Sequence, residues 1–414
     1  MKGPPDTSTV DRSPERRRLV VVGASLAGLS AARALREQGF DGDLVVVGDE
    51  QHLPYDRPPL SKGFLTGTTS RADLDLLPAG DDLAVTWQLG VPATALRPTG
   101  AGHAVVLADG RELVADGVVL ATGARARVLD GLADVKGVHT LRTVDDAVAL
   151  REDLAEATSV VIVGGGFIGA EVASSARALG LAVTVVEAQD VPLAGPLGVE
   201  LGAACAALHG DHGVQLLTGV GVTGLVTEQD RVTVVELADG TTLHADVVVV
   251  GVGAQPNIEW LAGSGVEIGG VEDGGGVLTD ARCATNVPGV VAVGDCASPF
   301  DPLLGRHHRV EHWTHALQQP PTAAATLLGA PSVPAYTALP YFWSEQYGKQ
   351  LQLAGSQQPG DVVTVVEGSL DSRSFVATYE RDGRLVAVLG LDAGPAFARW
   401  RRTLRTAHAA LPAP

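Results

Sequence analysis

Two stretches of this 414-residue chain repeat the succession of apolar strand, glycine-rich turn and Ala-rich helix. That repetition limits the fold more than any other feature. The first stretch reads Val20-Val21-Val22-Gly23-Ala24-Ser25-Leu26-Ala27-Gly28 and the second Val161-Ile162-Val163-Gly164-Gly165-Gly166-Phe167-Ile168-Gly169. Each turn would aim backbone N–H groups from a helix start, where the dipole favours a pyrophosphate. An acid closes the following strand in both cases, Asp49 after Leu44 to Gly48 and Glu187 after Ala182 to Val186. A carboxylate there can hold a ribose 2′-hydroxyl. The second loop has all three glycines of the pattern, Gly164, Gly166 and Gly169, whereas Ser25 replaces the middle glycine of the first. The expected class is α/β, with two Rossmann-like nucleotide-binding domains.

The segments after each unit are duplicated as well. Val105 to Leu113 reads as a hairpin around Asp109-Gly110, and Val234 to Leu243 repeats it around Asp239-Gly240. Each hairpin precedes a buried strand that ends in glycine, Gly117 to Gly123 and Val247 to Gly253. Beyond Pro320 a Pro-rich connection leads to strands around Tyr341-Phe342-Trp343, Leu351-Gln352-Leu353, Val362 to Val366, Phe375-Val376-Ala377 and Leu385 to Leu389, then an Arg-rich helix. This predicts a smaller α+β domain. The expected organisation is a flexible tail over 1–15, a discontinuous first nucleotide domain over 16–124 and 252–320, a second over 125–251, and a C-terminal α+β domain over 321–406.

Charge and cysteine content exclude several classes. A formal net charge of −18 argues against nucleic acid or an anionic membrane, both of which reward basic surface. Cys205, Cys283 and Cys296 form neither a close pair nor a metal-ligand spacing, so no disulfide framework, no metal site and a cytoplasmic setting are expected. Arg16-Arg17-Arg18 before an apolar run is read as the start of a strand-to-helix switch rather than a signal peptide. Other apolar stretches are strand-length, and no transmembrane segment is expected.

Two nucleotide loops suggest a relay between cofactors. A nicotinamide nucleotide is a soluble hydride donor, and the usual resident acceptor beside it is a flavin. The chain reads first as a flavoprotein.

Further motifs carry a resemblance. Val47-Gly48-Asp49-Glu50, Leu53-Pro54-Tyr55-Asp56-Arg57-Pro58-Pro59-Leu60-Ser61-Lys62, Ala121-Thr122-Gly123, Gly164 to Glu171, Gly251 to Asn257, Val293-Gly294-Asp295 and Phe342 to Tyr347 occur in one order. Together they resemble the FAD-dependent ferredoxin reductases that serve monooxygenases and aromatic-ring dioxygenases. The likeness runs from about Leu19 to the closing helix and implies a glutathione-reductase-like fold with a C-terminal α+β domain. It implies bound FAD, NADH as donor and a [2Fe-2S] ferredoxin as acceptor, in a monomer or weak dimer.

The resemblance also assigns roles. Asp49 would hold the FAD adenosine ribose, Gly23, Ser25, Ala27 and Gly28 the pyrophosphate turn, and Asp295 the ribityl or pyrophosphate side. Arg57, Ala93, Ala121, Thr122, Gly123, Arg142, Gly253 and Gly294 join the cofactor-contacting set, with Gly164, Gly166, Phe167, Ile168, Gly169 and Glu187 in the second unit. Lys62 and Glu171 form the catalytic pair, the lysine near flavin N5 and the glutamate keeping it in place. Taken singly, Lys62 also reads as solvated surface and Glu171 as a first-turn acid suited to the helix dipole. Trp313 would lie against the flavin at the start of a helix that Pro320-Pro321 interrupts. Trp343 either caps the flavin or fills the core of the last domain.

Three expectations concern the reaction. Glu187 would repel a 2′-phosphate and Ala188-Gln189-Asp190 offers no cation for one, so NADH is preferred over NADPH. A hydride carries two electrons and the acceptor takes one, so the flavin must divide the pair. Since such acceptors are acidic, a local basic patch is expected among Arg57, Lys62, Arg71, Arg306, Arg309, Arg399, Arg401 and Arg402. Alternative readings are a rubredoxin reductase, an NADH oxidase, or a redox-sensing interaction protein of the apoptosis-inducing-factor type.

Overall fold

The structure, a computed structural model, describes residues 16–409 except 79, 101, 130, 132–134, 272, 273 and 303. The tail expected over 1–15 lies outside the described residues. Two parallel five-stranded sheets follow from the two valine-rich repeats. In the first, Val85–Gln88, Asp43–Val47, Arg18–Val22, Gly117–Leu120 and Val290–Ala292 lie side by side. In the second the order is Gln215–Thr218, Ala182–Glu187, Ser159–Val163, Val247–Val250 and Val138–His139. The first four strands match position for position. Arg18–Val22, Gly117–Leu120 and Val247–Val250 are buried at every residue, as continuous Val/Leu runs of a sheet covered on both faces require.

Each sheet carries an antiparallel three-stranded insertion in the crossover to its fourth strand. Ala93–Thr99, Gly102–Leu107 and Glu112–Ala115 form one, and Val222–Glu228, Arg231–Leu237 and Thr242–His244 the other. Both turns fall at the expected Asp-Gly pairs, where Gly110 and Gly240 have positive φ. The last unit is a five-stranded antiparallel sheet in the order Tyr341–Gln346, Lys349–Gly355, Arg384–Leu391, Ser374–Arg381, Val362–Ser369. Helix Gly394–Ala409 packs Phe397 and Leu404 on its Ala354, Val376 and Val388 face. No helix among the described residues is long and apolar enough to cross a membrane.

One expectation is overturned. Helix Trp313–Leu328 runs unbroken through Pro320-Pro321 and ends where Gly329 turns left-handed. Proline keeps a helical φ but removes a donor, so packing must supply what the backbone loses. Here Gln319 accepts the Gly294 amide on its Oε1 at 2.7 Å, and Gln38 donates Nε2 to the Pro321 carbonyl at 2.8 Å. Pro320, Ala323 and Ala324 are buried beside the helix Leu26–Glu37. The boundary expected at 320/321 therefore falls inside a helix, and the connection to the last sheet begins after Leu328.

Candidate active site

Both glycine loops are built to bring a helix start onto its sheet. A Cβ at Gly28 would overlap the Gly23 carbonyl oxygen, and one at Gly23, whose φ is +119°, would overlap the Ala121 carbonyl. Gly169 and Gly164 repeat the device against Gly164 and Gly251. Neither Ser25 nor Gly166 caps its helix through a side chain, so the first-turn N–H groups point outward without a side-chain acceptor. A Cβ at Gly166 would meet only the Gly251 oxygen, at 3.9 Å, and one at Gly253 meets nothing within 4 Å. The bare helix N-termini fit a dinucleotide pyrophosphate at each loop, and at the second there is open space beside them.

Around the first loop the side chains form one network. Arg57 donates Nε to Ser25 Oγ at 3.2 Å, Nη1 to the Arg142 carbonyl at 2.7 Å and Nη2 to Glu50 Oε1 at 2.5 Å. Ser25 thus gives Arg57 an anchor that glycine would lack. Arg142 donates Nη2 to Asp295 Oδ2 at 2.6 Å and Nε to the Ala124 carbonyl at 2.8 Å. Thr122 and Asn257 exchange side-chain bonds of 2.6 and 3.0 Å with each other's carbonyls, which fixes the turn at Gly123. Asp49 is exposed two residues past its strand, while Ala93 packs against the core containing Val22 and Val47.

Lys62 and Glu171, 109 residues apart, meet directly, Nζ to Oε2 at 2.7 Å. Glu171 is 3% exposed and stands in the first turns of the helix Phe167–Ala178. Beside Lys62, Asp56 accepts the Trp313 indole N–H at 2.8 Å. Desolvation pushes the Asp56 carboxyl upward, against the lowering pull of that bond and of Lys62. Trp313 meets Trp343 edge to face at 5.8 Å, and Trp343 stacks on Tyr341. At the start of the Trp313 helix, burial pushes His312 down to about 3 and His315 down to about 4. Both are neutral at pH 7, which leaves the helix dipole as the positive element there.

In the second loop Glu187 accepts the Gly165 amide on Oε2 at 2.7 Å and the Gln189 amide on Oε1 at 2.9 Å. Its carboxylate is held at the strand end facing the loop. Ile168 is 44% exposed in the first helical turn, and Phe167 packs on Phe342 with ring centroids 4.5 Å apart.

A family model described as pyridine nucleotide-disulphide oxidoreductase matches residues 17–320, and one described as reductase C-terminal matches 341–413. The chain belongs to the pyridine nucleotide-disulphide oxidoreductase family. It is 39% identical over 360 residues to rhodocoxin reductase of Rhodococcus erythropolis, covering 86% of this chain and 82% of that protein. It is 38% identical over 407 residues to the anthranilate 1,2-dioxygenase system ferredoxin–NAD(+) reductase component of Burkholderia cepacia, covering 95% of each. The reductase in the crystal structure of the covalent putidaredoxin reductase–putidaredoxin complex superposes with a TM-score of 0.87 at 33% identity, covering 94% of this chain and 93% of that one.

Unlike the family's name, this member has no paired thiols. Cys205, Cys283 and Cys296 are free and buried, and desolvation raises all three thiols, Cys205 and Cys283 to about 12. They are core residues, as expected. The geometry narrows the expected basic patch. Arg57 is committed to the network above, and Arg309 donates to the Asp295 and Gly274 carbonyls and to Glu311. Lys62 is held by Glu171, Arg71 by Asp75 and Arg399 by Glu367. Arg401 lies 3.8 Å from the Tyr341 ring centroid. Of the eight candidates, Arg306 and Arg402 alone are exposed with no ion pair among the described residues.

Sequence reasoning passed over Glu50, Asp56, Ser61 and Ser344. All four stand inside the motif strings, next to residues that were singled out. A hydroxyl or carboxylate adjoining an assigned position was the available signal.

Proposed function

We propose that this chain is an FAD-containing NADH:ferredoxin oxidoreductase that reduces a [2Fe-2S] ferredoxin serving a monooxygenase or a ring-hydroxylating dioxygenase. The overall reaction is NADH plus two oxidised ferredoxins giving NAD+, a proton and two reduced ferredoxins. The observation that carries the reading is the Lys62–Glu171 pair, which ties the segment after the first nucleotide unit to the helix that opens the second. Bound FAD would supply acceptance of a hydride and release of its electrons singly. The chain's residues bind and orient. The Gly23–Gly28 loop, Asp49, Arg142 and Asp295 hold FAD, with Arg57 bracing Ser25, and the Gly164–Gly169 loop and Glu187 hold NADH. Lys62 is the fixed cation beside the reacting edge, which favours charge arriving there. The division of labour follows the two sheets, and the protein works in the cytoplasm as a monomer or weak dimer.

Nucleotide choice tests the second cradle. With Glu187 fixed by two amides and no cation at positions 188–190, kcat/KM should favour NADH over NADPH by about tenfold or more. Glu187→Ala with Gln189→Arg should narrow the ratio. Equal use of both nucleotides by the unaltered protein overturns the charge argument.

Acceptor choice tests the whole reading. A panel of acidic [2Fe-2S] ferredoxins, with ferricyanide as a small acceptor, should yield at least one protein acceptor reduced at NADH-dependent rates. The pair Arg306→Glu and Arg402→Glu should raise the ferredoxin KM and flatten its salt dependence while leaving the ferricyanide rate unchanged. Failure of every ferredoxin, with ferricyanide reduced normally, rejects the ferredoxin assignment.

A further inference from the structure

Glu171 is the point at which three distant stretches of chain meet. Its Oε2 accepts Ser61 Oγ at 2.5 Å and Lys62 Nζ at 2.7 Å, and its Oε1 accepts Ser344 Oγ at 2.6 Å and the Glu345 amide at 3.4 Å. An ionised carboxylate offers about four lone-pair sites, and here four donors face them. Lys62 alone among these donors brings charge. The other three set direction.

Ser344 is fully buried, on the strand Tyr341–Gln346 of the last sheet. Its hydroxyl donates to Glu171 and accepts Gln346 Nε2 at 3.2 Å, so both of its roles are taken and it cannot turn away. The same helix face holds the strand and the Ser61 segment separately from Glu171. Ser174 Oγ accepts the Tyr347 amide at 2.7 Å, and Ser175 Oγ donates to the Ser61 carbonyl at 2.6 Å. Positions 171, 174 and 175 are neighbours at helical spacing.

We infer that Ser344 is a positioning residue for hydride transfer, locking the rotation of the Glu171 carboxylate so that it holds the Lys62 ammonium at one place. The inference rests on the reading under Proposed function. Lys62 has a long rotatable stem, and its other bond is to the Pro58 carbonyl at 2.9 Å. Without Ser344 the Oε1 atom keeps only the long 3.4 Å bond from the Glu345 amide, so the carboxylate would swing and let the ammonium move with it. Preorganised charge loses its value when it must reorganise during the reaction. The last domain would thereby take part in the chemistry through one hydroxyl, without supplying a group that reacts.

The test is Ser344→Ala in the FAD-loaded full chain, with Ser344→Thr to return the hydroxyl and Ser174→Ala as a control. Ser174→Ala weakens the same domain junction at the Tyr347 amide without touching Glu171. For Ser344→Ala the rate constant of anaerobic reduction by NADH should fall about tenfold, with the NADH dissociation constant changed by less than about twofold. The flavin midpoint potential should fall as well; a tenfold change in the equilibrium of this two-electron couple is about 30 mV. Ser344→Thr should recover most of both effects, and Ser174→Ala should leave both unchanged. Should Ser344→Ala fail to hold FAD, Ser61→Ala, which removes the neutral one of the two donors on the other carboxylate oxygen, carries the same expectations. Unchanged rate and potential in these variants, or equal losses in Ser174→Ala, overturn the inference. If instead the unaltered FAD-loaded protein is not reduced by NADH, the functional reading itself fails, a result the two alanine variants cannot imitate.

Discussion

The Gly28→Ala protein should purify without colour, whereas the unaltered protein should be yellow with about one FAD per chain. The added Cβ would overlap the Gly23 carbonyl oxygen, and Val21 Cγ1 stands 3.4 Å away on the same side. Gly23 cannot yield, because its own Cβ space is filled by the Ala121 carbonyl. The obstruction is backbone on both sides. The helix Leu26–Glu37 must therefore lift from its strand, taking the bare first-turn amides out of reach of the pyrophosphate. Overpacking of this kind costs about 1–3 kcal/mol, and about 1.4 kcal/mol is tenfold in affinity, so FAD should bind roughly ten- to hundredfold more weakly. Visible absorbance, and FAD released on denaturation, measure the effect. Gly169→Ala makes the matching clash with Gly164 in the second loop, and should keep its colour while raising the NADH KM. A yellow Gly28→Ala protein with full FAD content would remove the first loop from the cofactor site.

Glu171→Ala should slow reduction by NADH by about a hundredfold or more while FAD stays bound. Removing one preorganised hydrogen-bonding group from an active site commonly costs about 10²–10³ in rate. Here the loss is compounded, because Lys62, Ser61 and Ser344 all lose an acceptor at once. Breaking a buried pair from one side costs about 3–5 kcal/mol of stability; Lys62 is partly exposed, so the lower end applies. Glu171→Gln keeps the shape and loses the charge, and its amide NH2 must face either the ammonium or a serine donor. It should fall between the alanine variant and the unaltered protein. Stopped-flow reduction under anaerobic conditions separates this step from the acceptor reaction. Reduction at the normal rate in both variants would leave the pair as a structural tie.

Much of this arrangement is legible in the amino-acid sequence because its causes are local. Val20-Val21-Val22 and Val161-Ile162-Val163 are buried strands, the glycines sit where backbone meets backbone, and Asp-Gly pairs close both inserted hairpins. The Lys62–Glu171 contact follows from the family resemblance. What escaped depends on partners far along the chain. Pro320-Pro321 breaks a helix by every local rule, yet Gln319 is held by Gly294 and the helix survives. Arg309 reads as a surface cation because charge is visible in a sequence and the carbonyls that capture it are not. Ser61 and Ser344 are common residues whose meaning lies in one carboxylate, 110 and 173 positions away.

The two sheets share a strand order but differ in where their last strand comes from. The second takes it from Val138–His139, just upstream, so all its strands lie within one continuous length of chain. The first takes it from Val290–Ala292, beyond the whole of the second, and its covering helix Trp313–Leu328 later still. During synthesis from the N-terminus, then, the unit that begins second can close first. The earlier one must wait with the Gly117–Leu120 edge unpaired, an exposed valine-rich strand that invites association until the later segment emerges. Chain entropy charges that long closure only logarithmically, so the finished protein is little penalised. The burden falls on the nascent chain.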